Sequence, residues 1–236
     1  MAVDIGIVLT GTIIPNSTFV VHFDADKRRL EYLTAIKYYK KFAPVYFLEN
    51  SSYPLLSDPD FNGIEGVYLR KLPLSKYYSR GKGYQEFEMV KRWLETEAVL
   101  PRRFIKITGR YIILNFKNIF HECLRMRLNC FLIDQFLKNP TALTCLFYVD
   151  TNYYSRKLSD FYLDCNDEIG DWAEIVLYKK MFAAKIDSMI FKNKPIFTGL
   201  DGSNGTDICY NPVRHFIGSF LRKINRCFSK KYILFR

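Results

Sequence analysis

No apolar run in this sequence approaches the roughly 18–20 residues that a helix needs to cross a bilayer. The amino-terminal stretch MAVDIGIVLTGTI has neither the basic segment nor the long apolar stretch of a signal peptide, so we expect a buried first strand and a cytoplasmic protein. Disorder is excluded, because hydrophobic residues make up 49% of the chain and are enough for a core. The length of 236 residues fits one α/β domain with a short appendage.

Signatures of metal and phosphate-loop chemistry are also missing. The six cysteines form no CxxC pair, their spacings match no zinc site, and the three histidines are scattered. We therefore expect free thiols. Neither a P-loop nor a GxGxxG fingerprint is present, which excludes the common phosphate-loop classes.

Acidic residues are absent from the end of the chain. The whole sequence has 35 basic and 24 acidic residues, a net charge of +11, and residues 214–236 hold seven of the basic ones and no acidic one. A localised basic segment indicates an anionic partner, either nucleic acid or anionic lipid. Because no RNP, KH or helix-turn-helix signature accompanies it, a basic nucleic-acid-binding α/β protein is the alternative and not the leading interpretation.

Apolar residues of the same segment recur at the i, i+3, i+4 spacing of one helix face, while its basic residues fall largely elsewhere on the helical wheel. This pattern is typical of a helix lying on an anionic membrane leaflet. We therefore predict a domain over 1–213 and a basic amphipathic membrane-docking segment over 214–236 that contains a helix, so that the protein is peripheral on the inner face of the cytoplasmic membrane. Its predicted membrane residues are Phe216, Phe220, Arg222, Lys223 and Arg226. The alternative is a helix packed on the domain with a solvated basic face.

Elsewhere, strand patterns alternate with helix patterns. This predicts a single Rossmann-like domain with a mainly parallel sheet, right-handed crossovers and helices on both faces. Ligands of such sheets bind at the carboxyl ends of the strands. The predicted strands are 4–13, 44–51, 103–113, 144–154 and 195–207, and the predicted helical stretches are 26–42, 85–100, 116–128 and 171–187.

Four of the predicted strands end in polar residues, and together these ends predict the rim of a binding site. They are Thr10-Gly11-Thr12, Glu49-Asn50-Ser51, Thr108-Gly109-Arg110 and Asp150-Thr151-Asn152.

The segments LTGTI, LENSSY, GKGYQEFE and KITGRY, in this order and spacing, resemble a family of bacterial O-antigen and capsular-polysaccharide glycosyltransferases. The resemblance covers residues 5–115 well and 145–205 more loosely. It implies a GT-A-like fold and transfer of a sugar from a nucleotide diphosphate donor, expected to be a UDP-sugar, to a hydroxyl of a lipid-linked glycan. An inactive homologue of such transferases is a further alternative.

The resemblance assigns donor contacts to three motifs. Thr10, Gly11 and Thr12 would meet ribose or phosphate, because glycine permits close backbone approach. Carboxylate and amide groups in Glu49-Asn50-Ser51 would read a uracil or ribose edge. Lys82, Gly83 and Glu86 would bring a cation and a helix amino terminus to a phosphate. Each motif also fits an ordinary turn, cap or solvated glycine, and those alternatives stay open.

Metal-dependent GT-A enzymes generally carry an Asp-x-Asp where this chain reads ITGR. Since Mg²⁺ and Mn²⁺ require carboxylate ligands, we expect no cofactor. Lys106 and Arg110, flanking Thr108-Gly109, are predicted to neutralise the diphosphate instead. Arg110 in a structural ion pair is the alternative.

The acceptor hydroxyl requires a general base. Glu174 is the first candidate and Asp150 the second. Asp150 also fits a degenerate Mg²⁺ or Mn²⁺ site or a plain strand end, and Asp171 fits a helix cap.

Overall fold

The structure, a computed structural model, describes residues 3–16, 20–200, 206–208 and 210–234. In chain order the strands and α-helices are β1 (Ile5–Gly11), α1 (Ala25–Tyr39), β2 (Val45–Glu49), β3 (Val67–Lys71), α2 (Lys82–Thr96), β4 (Arg103–Thr108), β5 (Ile112–Ile113), α3 (Phe116–Leu124), β6 (Phe131–Phe136), β7 (Thr141–Asp150), α4 (Thr151–Lys157), α5 (Ala173–Ala183), β8 (Ser188–Met189), β9 (Phe197–Leu200), β10 (Asp207–Ile208) and α6 (Pro212–Phe228).

Seven strands form one sheet in the order β3-β2-β1-β4-β7-β6-β8. The first four are mutually parallel, and β6 pairs in parallel with β8. Only β7 runs against its neighbours β4 and β6. The predicted α/β class with a mainly parallel sheet is thus confirmed. A small second sheet joins β10, β9 and β5.

Helices cover both faces of the large sheet. In β1, Ile7 and Leu9 belong to the cluster beneath α1 and α3, whereas Val8 belongs to the cluster beneath α2, α4 and α5. Every residue of β1 is buried, as expected for a central strand covered on both sides. The continuous apolar run at the start of the sequence therefore follows from the two-sided burial of this strand.

Several predicted bounds change in the structure. The predicted strand 144–154 ends at Asp150, whose side chain caps α4 by accepting a hydrogen bond from the Tyr153 backbone N–H. Strands β3, β6 and β8 were not predicted, because β3 and β6 are short and contain charged residues and β8 has only two residues. The predicted strand 195–207 includes residues 201–205, which lie outside the described ranges.

The last helix, α6, begins at Pro212, is capped by the Asn211 side chain and ends at Phe228. Residues 229–234 follow it, and Ile233 forms a parallel bridge with Phe136 of β6. Across the described ranges, no helix is long and apolar enough to cross a membrane.

Candidate functional site

A cavity of about 860 Å³ opens at the carboxyl edge of the parallel strands, where β1 and β4 end side by side. The chain runs from β1 outward to β2 and β3 and then returns to β4 on the other side, so this is the switch point of the sheet, where open α/β sheets bind ligands. The predicted site residues that line the cavity are Thr10, Gly11, Thr12, Lys82, Gly83, Glu86, Thr108, Arg110 and Glu174.

Glu86 organises the floor of the cavity. Its Oε1 accepts hydrogen bonds from Thr10 Oγ1 at 2.5 Å, Lys106 Nζ at 2.6 Å and Thr108 Oγ1 at 3.0 Å. Burial acts to raise the pKa of this carboxyl, but the Lys106 charge and the hydrogen bonds outweigh it and hold the pKa below its ordinary value. Lys106 itself is fully buried and also donates to the Thr144 carbonyl at 2.9 Å. It therefore lies beneath the floor as the partner of Glu86, and its predicted direct contact with a diphosphate is wrong.

The side chains of Glu49, Asn50 and Ser51 accept hydrogen bonds from the loop after β1. The buried Glu49 carboxylate accepts from the Ile13 backbone N–H at 3.1 Å and from Lys71 Nζ at 2.5 Å. Asn50 Oδ1 accepts from Thr12 Oγ1 at 2.7 Å, and Ser51 Oγ accepts from the Ile14 backbone N–H at 3.1 Å. All three motif residues are buried and outside the cavity lining. Glu49, Asn50 and Ser51 therefore hold the loop after β1 in place, instead of contacting a uracil or ribose edge as predicted.

The amino terminus of α2 is already occupied by a carboxylate from elsewhere in the chain. Asp167 Oδ2 accepts from the Lys82 backbone N–H at 2.8 Å, and the Gly83 backbone N–H also binds this side chain. Gly81, at φ 98°, packs so closely against Asp167 that a Cβ would clash. Burial raises the pKa of the Asp167 carboxyl despite these bonds. The phosphate predicted at this helix end would have to displace Asp167, so that part of the prediction is not supported.

Besides Lys82, two guanidinium groups supply positive charge to the cavity. Arg110 pairs with Glu31 at 2.9 Å. Arg28 is buried and donates to the Thr12 carbonyl at 2.9 Å, the His22 carbonyl at 3.2 Å and the Tyr32 hydroxyl at 3.2 Å. Within the described part of the chain, no carboxylate pairs directly with Arg28. This wall of the cavity therefore carries two cations against one carboxylate.

Gly109 lies beside this wall and completes the junction of the two strands. Its backbone N–H donates to the Thr10 carbonyl at 2.9 Å, and a Cβ at this position would lie 3.2 Å from the Tyr32 ring. The predicted TGR motif thus brings Thr108 and Arg110 to the cavity, with Gly109 permitting the close approach of β1 and β4.

Asp150 lies at the opposite edge of the sheet. Because β7 is antiparallel to β4, Asp150 pairs with Arg103 at the start of β4, five residues from Thr108 and so about 16 Å away at strand spacing. The prediction that all four polar strand ends form one rim is wrong for this motif. Asp150 is remote from the cavity, which removes the basis for its predicted roles as base or metal ligand. The other end of β7, with Thr144, reaches the cavity instead.

Glu174 lies in the first turn of α5 and lines the cavity. Its Oε1 accepts from Thr144 Oγ1 at 2.5 Å. Among the described contacts the second carboxylate oxygen has no hydrogen bond, so it can accept one from a ligand. Nearby, Asp167 and Trp172 also line the cavity.

Sequence reasoning missed Arg28, Tyr32, Thr144, Asp167 and Trp172, all of which line the cavity. The sequence did contain one signal for Arg28, namely its position in the first turn of a helix. A cation there is unfavourable for the helix dipole, which suggests that it has another role. Thr144 and Asp167 depend on chain crossings that no local pattern reveals. Tyr32, in contrast, lies one turn after Arg28, and Trp172 lies two residues before Glu174.

Metal ligands do not cluster in this site. Throughout the ranges that the structure describes, no group of three or more His, Cys, Asp or Glu side chains is arranged to hold an ion. The cavity carboxylates of Glu86, Asp167 and Glu174 are each engaged with different donors.

The α6 helix turns its apolar face away from the domain. The α6 stripe consists of the exposed residues Val213, Phe216, Ile217, Phe220, Ile224 and Phe228, and Phe216 alone is 75% exposed. The polar side faces inward, where the Arg222 guanidinium forms two hydrogen bonds with Asp134 at 2.8 and 2.6 Å. Arg226 donates to the Ile190 carbonyl at 2.9 Å. The alternative of a solvated basic face over an apolar contact is therefore wrong.

Of the five predicted membrane residues, Phe216, Phe220 and Lys223 are exposed. Arg222 is buried against Asp134, so its predicted contact with lipid is wrong, and Arg226 is partly buried on the domain.

No family model matches this chain, and no curated protein matches it. Among solved structures, it is similar to a candidate nucleotide-diphospho-sugar transferase from Desulfovibrio desulfuricans G20, with a TM-score of 0.47 and 11% sequence identity over 80% of each chain.

Proposed function

We propose that this protein is a glycosyltransferase that moves a sugar from a nucleotide diphosphate donor, preferentially a UDP-sugar, to a glycan hydroxyl without a metal ion. The observation that carries the proposal is the cavity at the switch point, with an excess of guanidinium charge on one wall and the Glu174 carboxylate on another. The guanidinium charge would bind a diphosphate, and the carboxylate would activate an acceptor hydroxyl.

The diphosphate would bind to Arg28 and Arg110. A buried guanidinium without a counter-ion is costly, and an anionic ligand would offset that cost. Because the leaving diphosphate gains negative charge as the glycosidic bond breaks, the same arginines would stabilise the transition state more than the ground state. They would thus do what a divalent cation does in metal-dependent transferases.

The hydroxyls of Thr10 and Thr108 favour the ribose over the phosphates. Each has a single proton, and both protons are donated to Glu86, so only lone pairs face a ligand. Ribose hydroxyls can donate to these lone pairs, whereas phosphate oxygens have no proton to give at neutral pH. Pro15, Val20 and Val21 line the adjoining part of the cavity and offer an apolar surface to the nucleobase.

In the transfer step, Glu174 would accept the proton of the acceptor hydroxyl as its oxygen bonds to the anomeric carbon. The bond from that carbon to the diphosphate oxygen breaks, and its electron pair leaves with the nucleoside diphosphate. Atoms and charge balance with no further reactant, and Glu174 later releases the proton to water.

The exposed α6 stripe supports a lipid-linked acceptor at an anionic membrane. No acidic residue follows Asp207, and Arg214, Lys223 and Lys230 are exposed on α6 or just after it. This positive charge disfavours a second copy of the chain as the binding partner of the α6 stripe, because like charges would face each other. It favours the anionic inner leaflet of the cytoplasmic membrane. Such an enzyme would serve O-antigen or capsule synthesis. The nucleic-acid alternative is weaker, since apolar rings rather than cations form the outer face of α6.

The direct test is calorimetric titration with UDP, GDP, CMP and dTDP in excess EDTA, followed by a hydrolysis screen of the matching nucleotide-sugars. We expect UDP to bind without metal and one UDP-sugar to be hydrolysed. Binding without hydrolysis of any sugar would favour the inactive homologue. If none of the four nucleotides binds, the proposal is wrong, and binding only on addition of Mn²⁺ would overturn its metal-independence.

A further inference from the structure

The two tryptophans of this chain have opposite environments. Trp93 on α2 is fully buried in the core, whereas Trp172 is 55% exposed at the lip of the cavity. An indole ring left in water gives up a large gain from burial, so its exposure beside a polar cavity indicates a surface that a ligand covers.

The backbone around Trp172 is fastened from two sides. Asn166 and Asp171 bind each other through both backbone pairs, at 2.9 and 3.0 Å, which closes the loop before it. On the other side Ala173 packs against Gly83, where a Cβ would lie only 2.8 Å from the Ala173 Cβ. Trp172 is therefore presented at a fixed place next to Glu174, with which it shares the start of α5.

The order of groups along the cavity identifies what the ring would meet. In a nucleotide-sugar, the anomeric carbon joins the diphosphate, and the nucleoside lies beyond the diphosphate. The acceptor must approach the anomeric carbon from the side on which the general base, Glu174, lies. Because Trp172 precedes Glu174 by two residues, and the arginines lie on α1 and after β4, the ring belongs to the acceptor side.

A pyranose ring suits this surface. Its C–H groups form an apolar face that an indole can cover, and its hydroxyls point outward from the rim, within reach of carboxylates such as Glu174 and Asp167. We propose that Trp172 is the stacking platform for the acceptor sugar, with Glu174 and Asp167 receiving its hydroxyls. The assignment to the acceptor rests on the proposed transferase function, whereas the sugar site itself does not.

The experiment is a fluorescence titration of the full chain with methyl glycosides of glucose, galactose, mannose, rhamnose and N-acetylglucosamine, with and without UDP. Trp93 is buried and supplies a constant background. We expect at least one glycoside to shift the Trp172 emission. Trp172→Ala should lower the affinity for that glycoside roughly tenfold or more, measured by saturation-transfer NMR, and Trp172→Tyr should restore much of it because a ring face is retained. Phe182→Ala, an exposed ring at the far end of α5, is the matched control and should change nothing.

Three results would overturn the platform: no glycoside changes the emission, Trp172→Ala binds the glycoside as well as the wild type does, or UDP alone produces the full Trp172 signal. The last would mean that the ring stacks on the nucleobase. If glycosides bind at Trp172 while no nucleotide binds in calorimetry, the proposed transferase function fails and the sugar site remains.

Discussion

Two buried arginines, Arg28 beside the cavity and Arg222 beneath α6, lie in contrasting surroundings. Arg222 forms two hydrogen bonds with the Asp134 carboxylate, so its charge is neutralised within the protein. Arg28 is buried to a similar extent but donates only to backbone carbonyls and a tyrosine hydroxyl among its described contacts. The difference separates a cation that fastens the fold from one whose charge is available to a ligand.

The largest expected effect is a loss of stability when Arg222 loses its partner Asp134. Asp134→Ala should lower the free energy of unfolding by about 3–5 kcal/mol, because it leaves the Arg222 charge buried and unpaired. The measurement is urea denaturation. The double variant Asp134→Leu with Arg222→Leu should recover most of the loss, since neither charge then remains. A loss below about 1 kcal/mol for Asp134→Ala would mean that Arg222 is not held as the structure indicates.

The two edges of the sheet, with Glu174 at the cavity and Asp150 far from it, should also differ in their effect on catalysis. Glu174→Gln should lower kcat by roughly 10²-fold or more, since general bases contribute about 10²–10⁴, while the affinity for UDP stays nearly unchanged. Asp150→Asn is the matched control at the opposite edge and should retain kcat. The measurement is steady-state transfer or hydrolysis of the donor. The reverse outcome would return the role of base to Asp150.

The α6 stripe offers a third test, since it should matter for binding and not for folding. Replacing Phe216 and Phe220 by Ser removes two rings that are already exposed, so we expect stability to change little. Co-sedimentation with vesicles containing anionic lipid should weaken by roughly tenfold or more, because each inserted ring contributes apolar burial. Leu56→Ser, an equally exposed site away from α6, is the control. Aggregation or unfolding of the double variant would show that the stripe packs within the protein.

The smallest expected effect is on vesicle binding and concerns Lys223, which is exposed, unlike its buried neighbour Arg222. Lys223→Ala should weaken binding to anionic vesicles by about fivefold at low salt, corresponding to ~1 kcal/mol for a cation near the membrane surface. The difference should vanish at high salt, where surface charges are screened. A salt-independent loss would contradict an electrostatic role for Lys223.

The sequence predicted the features that depend on local pattern. The buried run of β1, the polar ends of β1 and β4, the α2 region and the amphipathic α6 all follow from residue spacing. The mainly parallel sheet followed from the alternation of strand and helix. What alternation does not reveal is strand direction: the antiparallel β7 moved Asp150 to the far edge and brought Thr144 to the cavity.

The remaining differences come from side chains that meet across long sequence separations. Asp167 reaches the amino terminus of α2 from 85 residues away, and Lys106 meets Glu86 across 20 residues. Likewise, the hydrophobic pattern of α6 indicated two faces but did not decide which one faces the domain. The Arg222 pair with Asp134 decides it, and that contact spans 88 residues.

The proposed diphosphate site is tested by calorimetric titration of UDP, in EDTA, into the wild type and Arg28→Met. Because a hydrogen bond to a charged group contributes about 1.5–3 kcal/mol, we predict a loss of affinity of roughly ten- to hundredfold. Arg28→Lys should fall between the two, since it keeps the charge and loses the planar fork. Arg125→Met, an exposed site on α3's end, should bind as the wild type does. Undiminished affinity in Arg28→Met would contradict the proposal that Arg28, which pairs with no carboxylate among the described residues, binds the diphosphate together with Arg110.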